Sequence, residues 1–140
     1  MIAYTRPRAE LDLAVVRDIA QQLHGLEGAM LPILHAINEH FGYVDPRALP
    51  VIADVLNLTR AEVHGVVSFY PDFRTTPAGR HVVKICRAEA CQAMGCNRVI
   101  AGLERALNVT LGETSADGQV TLEAVYCLGN CALSPAALID

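Results

Sequence analysis

Two pairs of cysteines constrain this chain more than any other feature. Cys86 and Cys91 follow the apolar run His81 to Ile85, and Cys127 and Cys131 follow the apolar run Val120 to Tyr126. Both runs read as buried strands that give way to small-residue loops. The segments inside the pairs, Arg87 to Ala90 and Leu128 to Asn130, are too long for the C-x2-C of a thioredoxin-type redox pair and too short for independent structure. Each strand thus delivers a thiol to the same sheet edge, and two loops offer four sulfurs to one centre.

Four thiolates suit a tetrahedral zinc ion or an iron–sulfur cluster, both soft-ligand sites. Zinc ribbons usually repeat C-x2-C, whereas here the spacings are C-x4-C and C-x3-C with 35 residues between the pairs. Wider loops fit a wider object. A [2Fe-2S] cluster has two irons, so each pair can hold one while the loops wrap the sulfides. Its negative charge calls for backbone N–H donors, which the loops containing Gly95 and Gly129 can supply. Free cysteines, two disulfides or a zinc site stay open on spacing alone. Five cysteines is an odd number, which argues against a disulfide framework outside a secreted context. The spare, Cys96, reads as a small apolar helix residue rather than a further ligand.

The order Cys86-x4-Cys91, then Asp117-Gly118 with Thr121-Leu122, then Cys127-Leu128-Gly129-x-Cys131, resembles the thioredoxin-like [2Fe-2S] ferredoxins. That family includes the 24-kDa subunit of respiratory NADH:quinone oxidoreductase, the gamma subunit of NAD-dependent formate dehydrogenase and subunits of NAD-linked hydrogenases. Upstream, Leu31-Pro32-Ile33-Leu34, Phe41-Gly42-Tyr43 and the run Val63 to Tyr70 are also similar, so the resemblance covers about Gly28 to Ile139. It implies one [2Fe-2S] cluster on Cys86, Cys91, Cys127 and Cys131, a thioredoxin-like topology, and a flavin- and NADH-binding partner that carries FMN and NAD. The family commonly has Gly and Ala where this chain has Ala132 and Ser134, ahead of Pro135. Formate dehydrogenase gamma subunits resemble the form seen here, as they do the Cys86 to Gly95 run, and the reading leans to them. Relatives continue beyond the strand in which this chain stops at Asp140, which suggests a truncated chain.

Elsewhere the sequence carries helices and no chemistry. Apolar residues recur at helical spacing over Leu11 to Leu23 and Ala29 to Phe41, and Gly42 sits where a C-cap glycine would. Asp45-Pro46 places an N-cap before a proline at the first helical position, opening a helix that runs to about Asn57. Thr59-Arg60-Ala61-Glu62 has the capping-box pattern, and that fourth helix continues to Tyr70. Residues 1–71 therefore form a helical bundle, expected to dock a partner, with 72–79 as a linker. Histidines 24, 35, 40, 64 and 81 are scattered and read as surface or capping groups. Residues 80–140 read as strand, loop, helix over Gln92 to Leu107, a turn at Asp117-Gly118, strand and a last strand from Ala136, an α/β unit.

At 140 residues and 52% apolar content the chain has ample material for a core. A formal charge of −4 with no Lys/Arg cluster argues against nucleic acid, which needs concentrated positive charge. No apolar run approaches a membrane span, and the stretch from Met1 to Glu10 lacks a secretory apolar core, so a cytoplasmic location is expected. No Gly-rich turn joins a strand to a helix to cradle a pyrophosphate. The functional expectation is an electron-transfer subunit that makes no bonds itself, in formate dehydrogenase ahead of the quinone oxidoreductase or a hydrogenase. Two readings of other classes remain: a zinc-stabilised interaction module, and a thiol–disulfide oxidoreductase, which the absent C-x2-C disfavours.

Overall fold

The computed structural model describes residues 10–140 and divides after Pro77 into two compact units. The stretch 1–9, most of the N-terminal segment that lacks a secretory apolar core in the sequence, lies outside the described residues. The first unit is built from helices α1 (Leu13–Leu23), α2 (Met30–Phe41), α3 (Leu49–Leu56) and α4 (Arg60–Phe69). Local chemistry sets several of their ends. Asp12 accepts the Ala14 N–H at 2.8 Å to open α1. Gly42, at φ +82, closes α2 by donating its N–H to the Asn38 carbonyl, a backbone region that favours glycine. Thr59 and Glu62 form the full capping box of α4. The faces so aligned bury Val16, Ile33, Leu34, Ile37, Ile52 and Val63 completely.

The helix read from Asp45 onward is two pieces, a 3-10 turn over Pro46–Ala48 followed by α3. Asp45 caps the turn. It accepts the Arg47 N–H at 2.8 Å and both Nε and Nη2 of the same side chain at 3.0 and 2.8 Å. These bonds from Arg47 hold the Asp45 carboxyl below its ordinary value, helped by the Arg47 charge and the Tyr43 hydroxyl and opposed by burial. The Arg47 side chain is 71% exposed, so the ion pair itself adds little and the cap dominates. Asp45→Ala is expected to cost about 1 kcal/mol at neutral pH. Because the folded carboxyl titrates lower than the unfolded one, its contribution is present above the ordinary value of about 3.9 and fades as the pH falls through the lowered one. Urea midpoints of both forms should converge below about pH 4.

The second unit, Ala78 to Asp140, is a three-stranded sheet with helices between its strands. Strand β1 (His81–Cys86) lies in the middle, parallel to β2 (Val120–Val125) and antiparallel to β3 (Ala137–Ile139). The β1–β2 register runs from His81 opposite Val120 to Cys86 opposite Val125, so both strands end at the same edge. Parallel neighbours need a crossover, and α5 (Glu89–Ala93) with α6 (Cys96–Leu107) provides it. The single helix expected over Gln92–Leu107 is thus broken, because Gly95 takes φ +86 between the two. The packed stripe of α6 is Cys96, Ile100, Leu103 and Leu107, while Val99 is exposed.

The segment read as a linker is structured at both ends. Phe73 is buried in the helical core, and the Arg74 carbonyl accepts the Val44 N–H at 2.7 Å. Gly79 is buried in the sheet unit, where its N–H donates to the Thr121 hydroxyl at 2.6 Å. Thr121 is fully buried and shares a second bond of 2.7 Å with the Thr114 hydroxyl, so no hydroxyl there is orphaned. No helix among the described residues is long and apolar enough to cross a membrane.

Candidate metal centre

Cys86 is the last residue of β1, and its N–H donates to the Ala136 carbonyl at 3.0 Å, which fixes the end of the strand. The next N–H, of Arg87, crosses to the Val125 carbonyl at 2.7 Å, so the chain leaves the sheet only at Ala88. Cys91 then sits in α5 rather than in a loop. That single turn of helix is tied back by the Gln92 side-chain amide, which donates to the Arg87 carbonyl at 2.8 Å. On the neighbouring strand, Cys127 follows β2 by two residues and adopts φ +93, a strained region for a residue with a Cβ. Gly129 follows at φ +76, and Cys131 opens a 3-10 turn to Leu133. Parallel pairing of β1 and β2 therefore brings all four cysteines to one sheet edge.

The two loops touch through amides and sulfur. The Cys86 thiol is held below its ordinary value first by the Ala88 N–H, against the effect of burial. The Cys91 thiol and the N–H groups of Cys127 and Leu128 from the other loop act in the same direction as Ala88. Cys131 is shifted the opposite way: its contact with Cys127 comes first, then the Cys127 charge, burial and the charges of Cys91 and Cys86. The Sγ atoms of Cys127 and Cys131 are 3.8 Å apart, and the Gly129 N–H donates to the Cys127 sulfur at 3.3 Å. The Cys91 thiol donates to the Ser134 hydroxyl at 3.5 Å, and that hydroxyl donates to the Cys131 carbonyl at 2.8 Å. Among the described residues no three His, Cys, Asp or Glu side chains converge tightly enough to hold a single ion. The sulfurs are grouped as two pairs, each pair facing the other's field.

Burial divides the pairs. Cys86 and Cys91 are 2% and 1% exposed, whereas Cys127 and Cys131 face solvent. Gly129 supplies an N–H to sulfur, but the Gly95 N–H is spent on the Gln92 carbonyl at 3.0 Å. Gly95 therefore breaks the helix instead of bonding a ligand. Cys96 is fully buried at the start of α6, with Sγ 3.9 Å from the Asn97 side-chain oxygen, and stands in the core of this unit. Sequence reading missed the amides of Ala88, Cys127 and Leu128, since a backbone N–H has no side-chain signature. It also missed the use of Ser134, although its departure from the common Ala was visible.

Two cysteine pairs thus stand at one edge of an α/β sheet, and the loop of one pair acts through its amides on a sulfur of the other. A sequence model of the thioredoxin-like [2Fe-2S] ferredoxins matches residues 16–140. The chain belongs to that family, and its α/β unit has the family's thioredoxin-like fold. It is 35% identical to an NADH-quinone oxidoreductase subunit from Pseudomonas aeruginosa, over 87% of this chain and 75% of that protein. With the subunit of the same name from Escherichia coli strain K12 the identity is 36%, over 94% and 81%. The NADP-reducing hydrogenase subunit HndA of Solidesulfovibrio fructosivorans is 30% identical, over 94% and 78%. Among solved structures, an NAD+-reducing [NiFe]-hydrogenase in the air-oxidised state matches with a TM-score of 0.66 and 25% identity, over 79% of this chain and 19% of that one. The family was legible in the sequence; the relatives named here are quinone-oxidoreductase and hydrogenase proteins, and none is a formate dehydrogenase.

Proposed function

We propose that this chain is an electron-transfer subunit that holds one [2Fe-2S] cluster between Cys86 and Cys91 on one side and Cys127 and Cys131 on the other. The observation that carries the reading is the placement of four thiols in two pairs at one sheet edge, with the Cys127 and Cys131 sulfurs 3.8 Å apart and Cys91 linked through the Ser134 hydroxyl to Cys131. The donor set fits: soft thiolates to bind iron, and amide donors to offset the charge that thiolate ligation concentrates. Bound there, the cluster supplies a one-electron carrier. The chain's own residues do the rest. Cys86 and Cys91 hold their side away from water, and Cys127 and Cys131 leave the other side open to a partner. The N–H groups of Ala88, Cys127, Leu128 and Gly129 set the potential through their bonds to sulfur.

The electron donor we assign is a separate flavin- and NADH-binding subunit of a larger assembly, for which the subunit names of the relatives speak. NADH gives up a hydride, a two-electron package, and a flavin is the cofactor that divides it. For the parent assembly we favour an NAD-dependent formate dehydrogenase, on the form Ala132-Leu133-Ser134-Pro135 and the Cys86 to Gly95 run. The test follows visible absorbance after anaerobic addition of NADH, with and without the flavoprotein that co-purifies with the tagged chain. Bleaching only in its presence is expected, and bleaching of the isolated, flavin-free chain would contradict the assignment. Formate, hydrogen and quinone offered to the co-purified assembly identify the parent, and hydrogen-driven NAD reduction without formate activity would overturn the formate assignment.

A further inference from the structure

Exposure and spacing set the Cys127–Cys131 pair apart from every other thiol of the described chain. Both side chains face solvent with their sulfurs 3.8 Å apart, whereas a disulfide needs ~2.05 Å, a closure within reach of side-chain rotation on the surface. Both residues follow β2 in one stretch of turns, so joining them moves no strand. Cys86 and Cys91 sit on β1 and α5 at 2% and 1% exposure, and Cys96 is fully buried. A solvent-borne oxidant reaches the first pair and not the others.

We propose that, when the chain carries no cluster, small-molecule disulfides such as oxidised glutathione join Cys127 to Cys131, and that this reversible bond closes the chain to cluster loading. The proposal rests on the ligand reading above. One thiolate of the pair attacks a sulfur of oxidised glutathione, forming a mixed disulfide and expelling one glutathione thiolate. The second thiolate then attacks the protein-side sulfur, forming the Cys127–Cys131 bond and expelling the other glutathione. Two electrons pass from the protein thiols to the glutathione disulfide, and the two thiol protons end on the two released glutathiones. The oxidised chain keeps only its buried donors, Cys86 and Cys91, and the solvent-facing half of the ligand set is gone. In the loaded chain both exposed sulfurs are engaged as ligands and do not act as nucleophiles.

The experiment uses the full chain, stripped of metal, reduced, and then incubated anaerobically with oxidised glutathione. One portion is digested without reductant and its cross-links mapped by mass spectrometry; another is offered ferrous iron and sulfide, and bound iron is measured. A dominant Cys127–Cys131 link is expected, with iron uptake lowered on the order of tenfold until a thiol reductant restores it. Cys131→Ser should stop at a glutathione adduct on Cys127. A link through Cys86, Cys91 or Cys96, adducts on Cys127 and Cys131 without a link, or oxidised chain that loads as fully as reduced chain would overturn the proposal. The two readings fail separately. A reduced chain that takes up no iron refutes the ligand set and the loading gate with it, while the cross-link map still decides the disulfide.

Discussion

Cys86→Ser should leave the chain folded and lower its bound iron by at least about tenfold, because a hard, weakly acidic hydroxyl replaces a thiolate in a soft-ligand site. The fold should survive because serine is close in size to cysteine and its oxygen can accept the same N–H groups of Ala88, Cys127 and Leu128 that converge on the sulfur. Serine at Cys91, Cys127 or Cys131 should act alike, with the two exposed positions perturbing stability least. Cys96→Ala is the control. It removes a buried sulfur from the core of the same unit, at a cost of about 1 kcal/mol in stability, and should leave iron content unchanged. Iron analysis with far-ultraviolet circular dichroism separates these outcomes, and loss of iron in Cys96→Ala with retention in Cys91→Ala would show that the ligands are misassigned.

Gly79→Ala should destabilise the sheet unit by roughly 3 kcal/mol, enough to unfold a substantial fraction of a marginally stable unit. A Cβ at this position would stand 2.7 and 2.8 Å from the Val120 carbonyl carbon and nitrogen, and 2.9 Å from the Thr121 nitrogen. All three are backbone atoms at the start of β2, so no flexible side chain can give way. The same shift would break the Gly79 N–H bond to Thr121, leaving a buried backbone N–H without its acceptor while Thr121 keeps its bond to Thr114. Because β2 delivers Cys127, loosening its first residues should also reduce cluster retention. Urea unfolding followed by circular dichroism would read the effect, and a midpoint equal to that of the parent chain would contradict this packing.

Gly79 also shows where sequence reading stops. Beside Pro77 it has the composition of a linker, and its true constraint is a close approach to a strand 42 residues away, which no local pattern announces. Gly42, Asp45, Thr59 and Glu62 were legible for the opposite reason: each acts on backbone within four residues, and that chemistry is written in the side chain. The helix break at Gly95 stayed hidden inside an amphipathic pattern, since one glycine costs only about 1 kcal/mol in a helix and does not interrupt the apolar stripe. The turn of helix that carries Cys91 is five residues, too short to show a period. At the site, the four cysteines were visible because spacing alone groups them. Their unequal burial was not, because it depends on tertiary packing: Cys86 and Cys91 stand in the core of the sheet unit and Cys127 and Cys131 do not.

The iron, zinc and acid-labile sulfide content of the full chain purified anaerobically, read beside its visible spectrum, decides whether it holds a cluster. A red-brown protein with about two irons and two sulfides per chain is expected. A colourless protein with one zinc per chain and no sulfide would contradict the cluster assignment.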